Sequence, residues 1–196
     1  MKTVITPYSI KAELDWKVEC RADLPLIGEY RGPDDYILKH GRAFVSHEPT
    51  EKVLEVVKIL RSMGPWPRKV CWGNSQRAAM AMDLRTDIQL EYIEGYAACG
   101  FWGIDHAWLA VDDCVIDLTW GPHVNIRRGK GTYERRTGPV VGILPEGWEY
   151  YGVPISKDEM WDMMMAHRLH DSVLFDWVCK WPLLTGKGHK KANEEA

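Results

Sequence analysis

The sequence predicts an α+β protein in which amphipathic helices accompany antiparallel strands. Three observations predict it. Val53, Val56, Val57 and Leu60 recur at i, i+3, i+4 and i+7, the stripe of a helix buried along one side. Residues 106–111 and 114–119 are strand-forming runs separated by Asp112-Asp113, a two-residue hairpin pattern. Ser156 and Glu159 stand three apart ahead of a methionine-rich run, the capping box that opens a helix. The chain has 196 residues, 45% hydrophobic and 27% charged, which suits one ordinary globular domain over residues 1–184. The Gly, Lys and Glu of 185–196 predict a disordered tail.

Taken in order, residues 10–18 and 37–45 are expected to hold short strands, punctuated by Gly28, Gly32-Pro33 and Gly41. Residues 49–63 form the first helix, with Glu51 and Arg61 placed to match its dipole and Gly64-Pro65 to stop it. Trp66-Pro67 is a rigid connector. A second helix runs from Cys71 to about residue 84 through the alanines and methionines of 78–82, although Asn74 and Ser75 are cap-type residues that allow a later start. Residues 88–97 alternate as a strand does. In the hairpin, a two-residue loop makes Val111 face Cys114. His106, Trp108, Val115, Asp117 and Thr119 then share one face, with His106 and Asp117 diagonal neighbours. A three-residue loop would separate them, because side chains alternate with period two. Residues 127–136 are basic and Gly-containing, a mobile loop. Residues 140–144 and 150–155 are further strands. The last helix spans 156–180, with Ile155 and Met160 as a hydrophobic staple and Met160, Met163, Met164, His167 and Val173 as its packed stripe.

Charge and cysteine usage restrict the function classes. A net charge of −3 leaves no overall electrostatic footprint for nucleic acid. Apolar runs are too short to span a membrane, and the first residues lack the apolar stretch of a secretory signal. Five scattered cysteines without a C-x-x-C pair argue against a disulfide framework and a zinc ribbon, and for a reducing compartment, the cytoplasm. Most of the ten tryptophans read as core.

A thiol, an imidazole and a carboxylate follow one another along the chain. Cys71 opens a helix, where backbone N–H groups stabilise a thiolate and bind an oxyanion. His106 lies on a strand beside Asp117, and a carboxylate there would hold the imidazole tautomer and stabilise the imidazolium. Asp105 points to the opposite face, and Asp112 and Asp113 are turn residues. Trp72, Trp108 and Trp120 could wall an acyl-binding cleft. The Cys71 backbone N–H is the first oxyanion donor, with Trp66, Asn74 and Gln76 as alternatives for the second. No organic cofactor and no metal is needed by this chemistry. Two rival readings are a metal bound by Cys71, His106 and Asp117, with Cys99 or Cys114 as a fourth ligand, and a non-catalytic protein that binds a partner.

Cys71-Trp72 at a helix start, Tyr92-Ile93-Glu94-Gly95-Tyr96, His106-Ala107-Trp108-Leu109 and Val115-Ile116-Asp117-Leu118-Thr119-Trp120 together resemble the transglutaminase-like core of the papain-like cysteine enzymes, including small stand-alone forms from phages and bacteria. The resemblance covers residues 70–120. Leu118 stands where that family usually has proline. The resemblance implies Cys71 as nucleophile, His106 as general base and acid, and Asp117 as orienter. It implies N-terminal helices, one carrying Cys71, packed on an antiparallel sheet that carries His106 and Asp117, followed by a C-terminal helix. It further implies an acyl-transfer enzyme of protease, deamidase or transglutaminase type acting on a protein, peptide or small amide substrate, with Trp72, Trp108 and Asn74 at the substrate.

Overall fold

A computed structural model describes residues 8–67, 69–100, 102–120, 125–128, 132–135, 139–167 and 170–187. It is an α+β fold. Helices α1 (Ile10–Glu19), α2 (Pro33–His40), α3 (Glu51–Ser62) and α4 (Cys71–Asp83), with strand β1 (Arg42–Phe44) between α2 and α3, precede the central strands. These are β2 (Glu91–Cys99), β3 (Gly103–Val111), β4 (Cys114–Asp117), β5 (Asn125–Arg128), β6 (Thr132–Arg135), β7 (Val140–Val141) and β8 (Trp148–Ile155). Helix α5 (Lys157–His167) and the short α6 (Pro182–Thr185) follow. Six strands form one antiparallel sheet in the order β1-β8-β2-β3-β4-β7, and β5 pairs with β6 in a separate ribbon.

Strand alternation gives the sheet two apolar faces. Tyr92, Tyr96, Ala107, Leu109 and Ile116 meet Ile10, Val53, Val56, Leu60, Ala78 and Met82 from the helices. On the other face Ile93, Trp108, Ala110, Val115 and Tyr150 close around Phe44 in a smaller core. His106 and Asp117 share the parity of Trp108 and Val115, so they belong to this second face.

The hairpin has the register expected of a two-residue loop, with Val111 opposite Cys114 and Leu109 opposite Ile116. Asp112 and Asp113 both take left-handed backbone (φ 49° and 63°). That twist is what a type I′ hairpin turn needs, and Asp tolerates it better than most side chains. The α3 stripe is buried as predicted, and Thr50 caps the helix by accepting from the Val53 N–H. The capping box ahead of α5 is formed, with Glu159 accepting from the Ser156 N–H at 2.9 Å and the Ser156 hydroxyl accepting from the Glu159 N–H at 3.2 Å.

Several expectations need correction. Residues 10–18 are helical, not extended. Ile10 and Leu14 are buried four residues apart, and the Lys11–Asp15 and Glu13–Lys17 ion pairs have the i, i+4 spacing that only a helix brings together. Residues 37–45 divide at Gly41: Pro33 starts α2, which runs to His40, and β1 begins after the glycine. The strand at 140–144 shortens to β7 because Gly142 (φ 64°) turns the chain. The expected strand 88–97 is displaced to β2. The long helix expected over 156–180 ends with α5 at His167, because the Val173 and Leu174 N–H groups bond to the Glu94 carboxylate instead of to helix carbonyls. The expected loop 127–136 contributes strands on either side of residues 129–131. Those residues, residue 136 and the predicted tail from 188 onward lie outside the described residues. Thr185 of the expected tail closes α6. Among the described residues no helix is long and apolar enough to cross a membrane.

Candidate active site

Cys71 is the first residue of α4. Lys69, two residues earlier, bends the chain into the helix through a left-handed backbone (φ 59°). Two polar side chains of the first turn then seat the helix end on the sheet. The Ser75 hydroxyl donates to the Ala107 carbonyl at 3.2 Å, next to His106 on β3. The Asn74 amide donates to the Pro67 carbonyl at 2.6 Å and to the Thr119 hydroxyl at 3.0 Å, just past Asp117. Asn74 and Ser75 therefore anchor the helix from within instead of capping it. The anchoring places Cys71 and His106 on the lining of one cavity, the cysteine near enough to act on the charge of the imidazole.

His106 Nε2 lies 2.7 Å from Asp117 Oδ2. A carboxylate acceptor favours a proton on Nε2 and leaves Nδ1 as the ring nitrogen not bound to Asp117. Asp117 is fully buried, and both oxygens are engaged. Oδ2 also accepts from the Tyr150 hydroxyl at 2.9 Å, and Oδ1 accepts from the Thr119 and Trp120 N–H groups at 2.8 and 3.1 Å. Burial works against its charge, but the His106 imidazolium and these donors hold its carboxyl below the usual carboxylate range. Burial likewise opposes a charge on His106, yet Asp117 on one side and Cys71 on the other push the imidazole up to about 10. The ring is stacked on Trp108 (centroids 6.3 Å, interplanar angle 18°) and tilted against Trp120 at 5.3 Å.

Cys71 and His106 open on a cavity of about 520 Å³ that is also lined by Lys69, Trp72, Ile104, Asp105, Thr119 and Trp120, while Asp117 lies buried outside it. Trp72 and Trp120 stand where a cleft wall was expected. Trp108 does not: it is completely buried in the second core, packed edge-on against Phe44 and Tyr150, and supports His106 from behind. Asn74 is also fully buried and serves the helix seat, not a substrate. All three side chains considered as second oxyanion donor are occupied. The Trp66 indole N–H donates to the Leu60 carbonyl at 3.2 Å, Asn74 is committed as above, and the Gln76 amide donates to the Asp171 carbonyl at 2.6 Å and to the Tyr92 hydroxyl at 3.1 Å. The Cys71 backbone N–H belongs to the helix turn that has no carbonyl of its own helix to meet. The Trp72 indole nitrogen is buried without a hydrogen-bond partner.

Two features have no signal in the local sequence. Tyr150 reaches Asp117 only because β8 runs beside β2, a pairing of distant segments. Glu94 is buried on the helix-facing side and accepts four hydrogen bonds, from the Tyr92 and Ser172 hydroxyls and the Val173 and Leu174 N–H groups. Burial pushes its carboxyl up, and those donors pull against it. His170 Nδ1 meets Gln76 Oε1 at 3.0 Å. The segment after α5 therefore grips both β2 and α4. Asp105 lies on the opposite face from His106, as expected, paired in register with Tyr96.

The geometry does not favour a metal at Cys71, His106 and Asp117. Among the described residues their ligand atoms do not converge on one point, and the carboxylate oxygens of Asp117 are already filled. Among the described residues, the His, Cys and carboxylate side chains whose ligand atoms converge are His167, Asp176 and Cys179. Comparison with known proteins returns no family model, no curated protein and no solved structure that matches this chain.

Proposed function

We propose that the protein is a cysteine-dependent acyl-transfer enzyme acting on an amide or peptide carbonyl, built on a transglutaminase-like variant of the papain-like fold. One observation carries this reading: Cys71 at a helix N-terminus and His106, which is bonded to buried Asp117, line one Trp-walled cavity. The order of motifs over residues 70–120 supports the same family.

In this reading the Cys71 thiol gives its proton to His106, and the thiolate that results is the nucleophilic form. The sulfur attacks the carbonyl carbon, a C–S bond forms, and the carbonyl π pair moves to oxygen. The Cys71 N–H and the positive end of the α4 dipole take up that oxyanion. When the tetrahedral species collapses, the C–N bond breaks and His106 Nδ1–H protonates the leaving amine. A thioester remains. Water or an acceptor amine then adds to it, giving its proton to the neutral Nδ1, and C–S cleavage returns the thiolate. Asp117 keeps the ring orientation and the Nε2–H tautomer through both steps and does not itself take the proton.

The test is to trap the intermediate. Wild type incubated with a library of activated aryl esters and peptide amides is expected to gain one acyl mass at Cys71, released by hydroxylamine as a thioester is. Cys71→Ala should gain none. Acylation at another residue, or an adduct that resists hydroxylamine, overturns the proposal.

A further inference from the structure

A second thiol–imidazole–carboxylate cluster lies beyond the Cys71 site. His167 is the last residue of α5, and the chain returns so that Asp176 and Cys179 stand beside it. His167 Nε2 lies 2.9 Å from Asp176 Oδ2 and 3.5 Å from Cys179 Sγ, and one ligand atom from each residue lies within 4.8 Å of the others. A single ring nitrogen thus faces both a carboxylate oxygen and a sulfur. One N–H has a single direction in which to donate well, whereas a metal ion gathers three such atoms around a point.

We propose that His167, Asp176 and Cys179 bind a divalent cation of the zinc class. Bonds of about 2.0 Å to nitrogen and about 2.3 Å to sulfur, at a tetrahedral angle, place N and S about 3.5 Å apart. The structure has that separation. The N–O separation needs to widen by a few tenths of an ångström. One thiolate, one imidazole and one carboxylate are a borderline-soft set that suits zinc or cobalt rather than magnesium or calcium. The three side chains are largely shielded: Asp176 and Cys179 are buried and the His167 side chain is 10% exposed. The surrounding backbone fixes them. Asp176 Oδ1 accepts the Cys179 N–H at 3.1 Å, and the Asp176 carbonyl accepts the Trp181 N–H at 2.7 Å. Lys180 and Trp181 both take left-handed backbone (φ 56° and 53°) to close this turn over Cys179. Three protein ligands leave the fourth position of a tetrahedral ion to water or an exogenous donor. The ion would tie the end of α5 to the segment whose Ser172, Val173 and Leu174 hold Glu94 and whose His170 and Asp171 hold Gln76 of α4. Metal binding would therefore brace the helix that carries Cys71, without taking part in the chemistry there.

Cobalt(II) titration of the full chain, stripped with a chelator, tests this. One cobalt per chain is expected, with a thiolate-to-cobalt charge-transfer band that zinc abolishes by displacement. Cys179→Ser should lose the band, and Cys71→Ser should keep it. Loss of an outer-shell partner alone costs about 10–100-fold in metal affinity, so His167→Gln and Asp176→Asn should weaken binding by at least roughly tenfold. Thermal unfolding with and without zinc covers the case in which Cys179→Ser folds poorly: zinc should raise the Tm of wild type and leave that of His167→Gln unchanged. Absence of the band in wild type, its persistence in Cys179→Ser, or its loss in Cys71→Ser overturns the proposal.

Discussion

A charged imidazole inside a protein needs a fixed counter-charge, and removing one partner of such a buried pair is far more costly than the pair is worth. Asp117 meets that need for His106 and is itself saturated by three further donors. Asp117→Asn keeps the shape but presents an amide N–H or a neutral oxygen to Nε2. Turnover on a substrate found through the trapping screen is expected to fall by about 10⁴-fold, as it does when a triad carboxylate is replaced, with KM little changed. Tyr150→Phe removes one donor from Asp117 without changing the packing volume. Its expected cost is about 1 kcal/mol, read from the urea midpoint. At this scale the sequence told much. The diagonal His–Asp pair follows from hairpin register, and the helix-initial cysteine from the helix-forming run after it, both local properties. Trp108 and Asn74 were misplaced because indole and amide side chains serve packing and anchoring as readily as binding, and only the surrounding elements decide which. Tyr150 was invisible for the same reason.

The elements depend on two close approaches. Gly95 of β2 and Gly152 of β8 are paired in register. A Cβ at Gly152 would lie 2.6 Å from the Glu94 carbonyl oxygen and 2.7 Å from the Trp108 ring. Both contacts are with rigid groups. Gly152→Ala is therefore expected to destabilise the fold by about 1–3 kcal/mol and to displace Trp108 from behind His106, seen as a lower urea midpoint together with altered near-ultraviolet dichroism. At the start of α5, Ser156→Ala removes the hydroxyl that accepts from the Glu159 N–H while leaving the backbone arm of the capping box, and should cost about 1 kcal/mol, measurable as a shifted midpoint with an unchanged m-value. Periodic elements were legible: the α3 stripe, the hairpin and the capping box stand where the sequence placed them. Residues 10–18 were misread because four-residue spacing is hard to tell from two-residue alternation in a short segment with few apolar positions. The length of α5 was misread because its end is set by Glu94, more than seventy residues upstream.

Over the whole molecule, the Cys71 site couples folding to pH. His106 titrates higher in the folded state than its ordinary 6.5, so its contribution is complete below about 6.5 and disappears as pH rises toward about 10. Asp117 titrates below its ordinary 3.8, so its contribution is present above that pH and is lost as pH falls below it. Stability should form a plateau between those limits and decline on both sides. His106→Ala should flatten the alkaline decline in urea unfolding followed over pH. The mixed architecture was legible from its local patterns. The order β1-β8-β2-β3-β4-β7 was not, because it places the last strand between the first two, and no local pattern encodes which distant segments pair.

The most direct test of Cys71 as nucleophile is the rate at which each of the five cysteines is alkylated by iodoacetamide at about pH 6, read by peptide mass spectrometry in wild type and in His106→Ala. An ordinary thiol, with a pKa of about 8.5, is almost wholly protonated and slow at that pH. In the proposed mechanism His106 takes the proton of the neighbouring thiol, which then reacts as thiolate. Cys71 is expected to be labelled faster than exposed Cys20 despite its burial, and His106→Ala to abolish the advantage. A Cys71 that is no faster than Cys20 in wild type, or equally fast in both proteins, would contradict it.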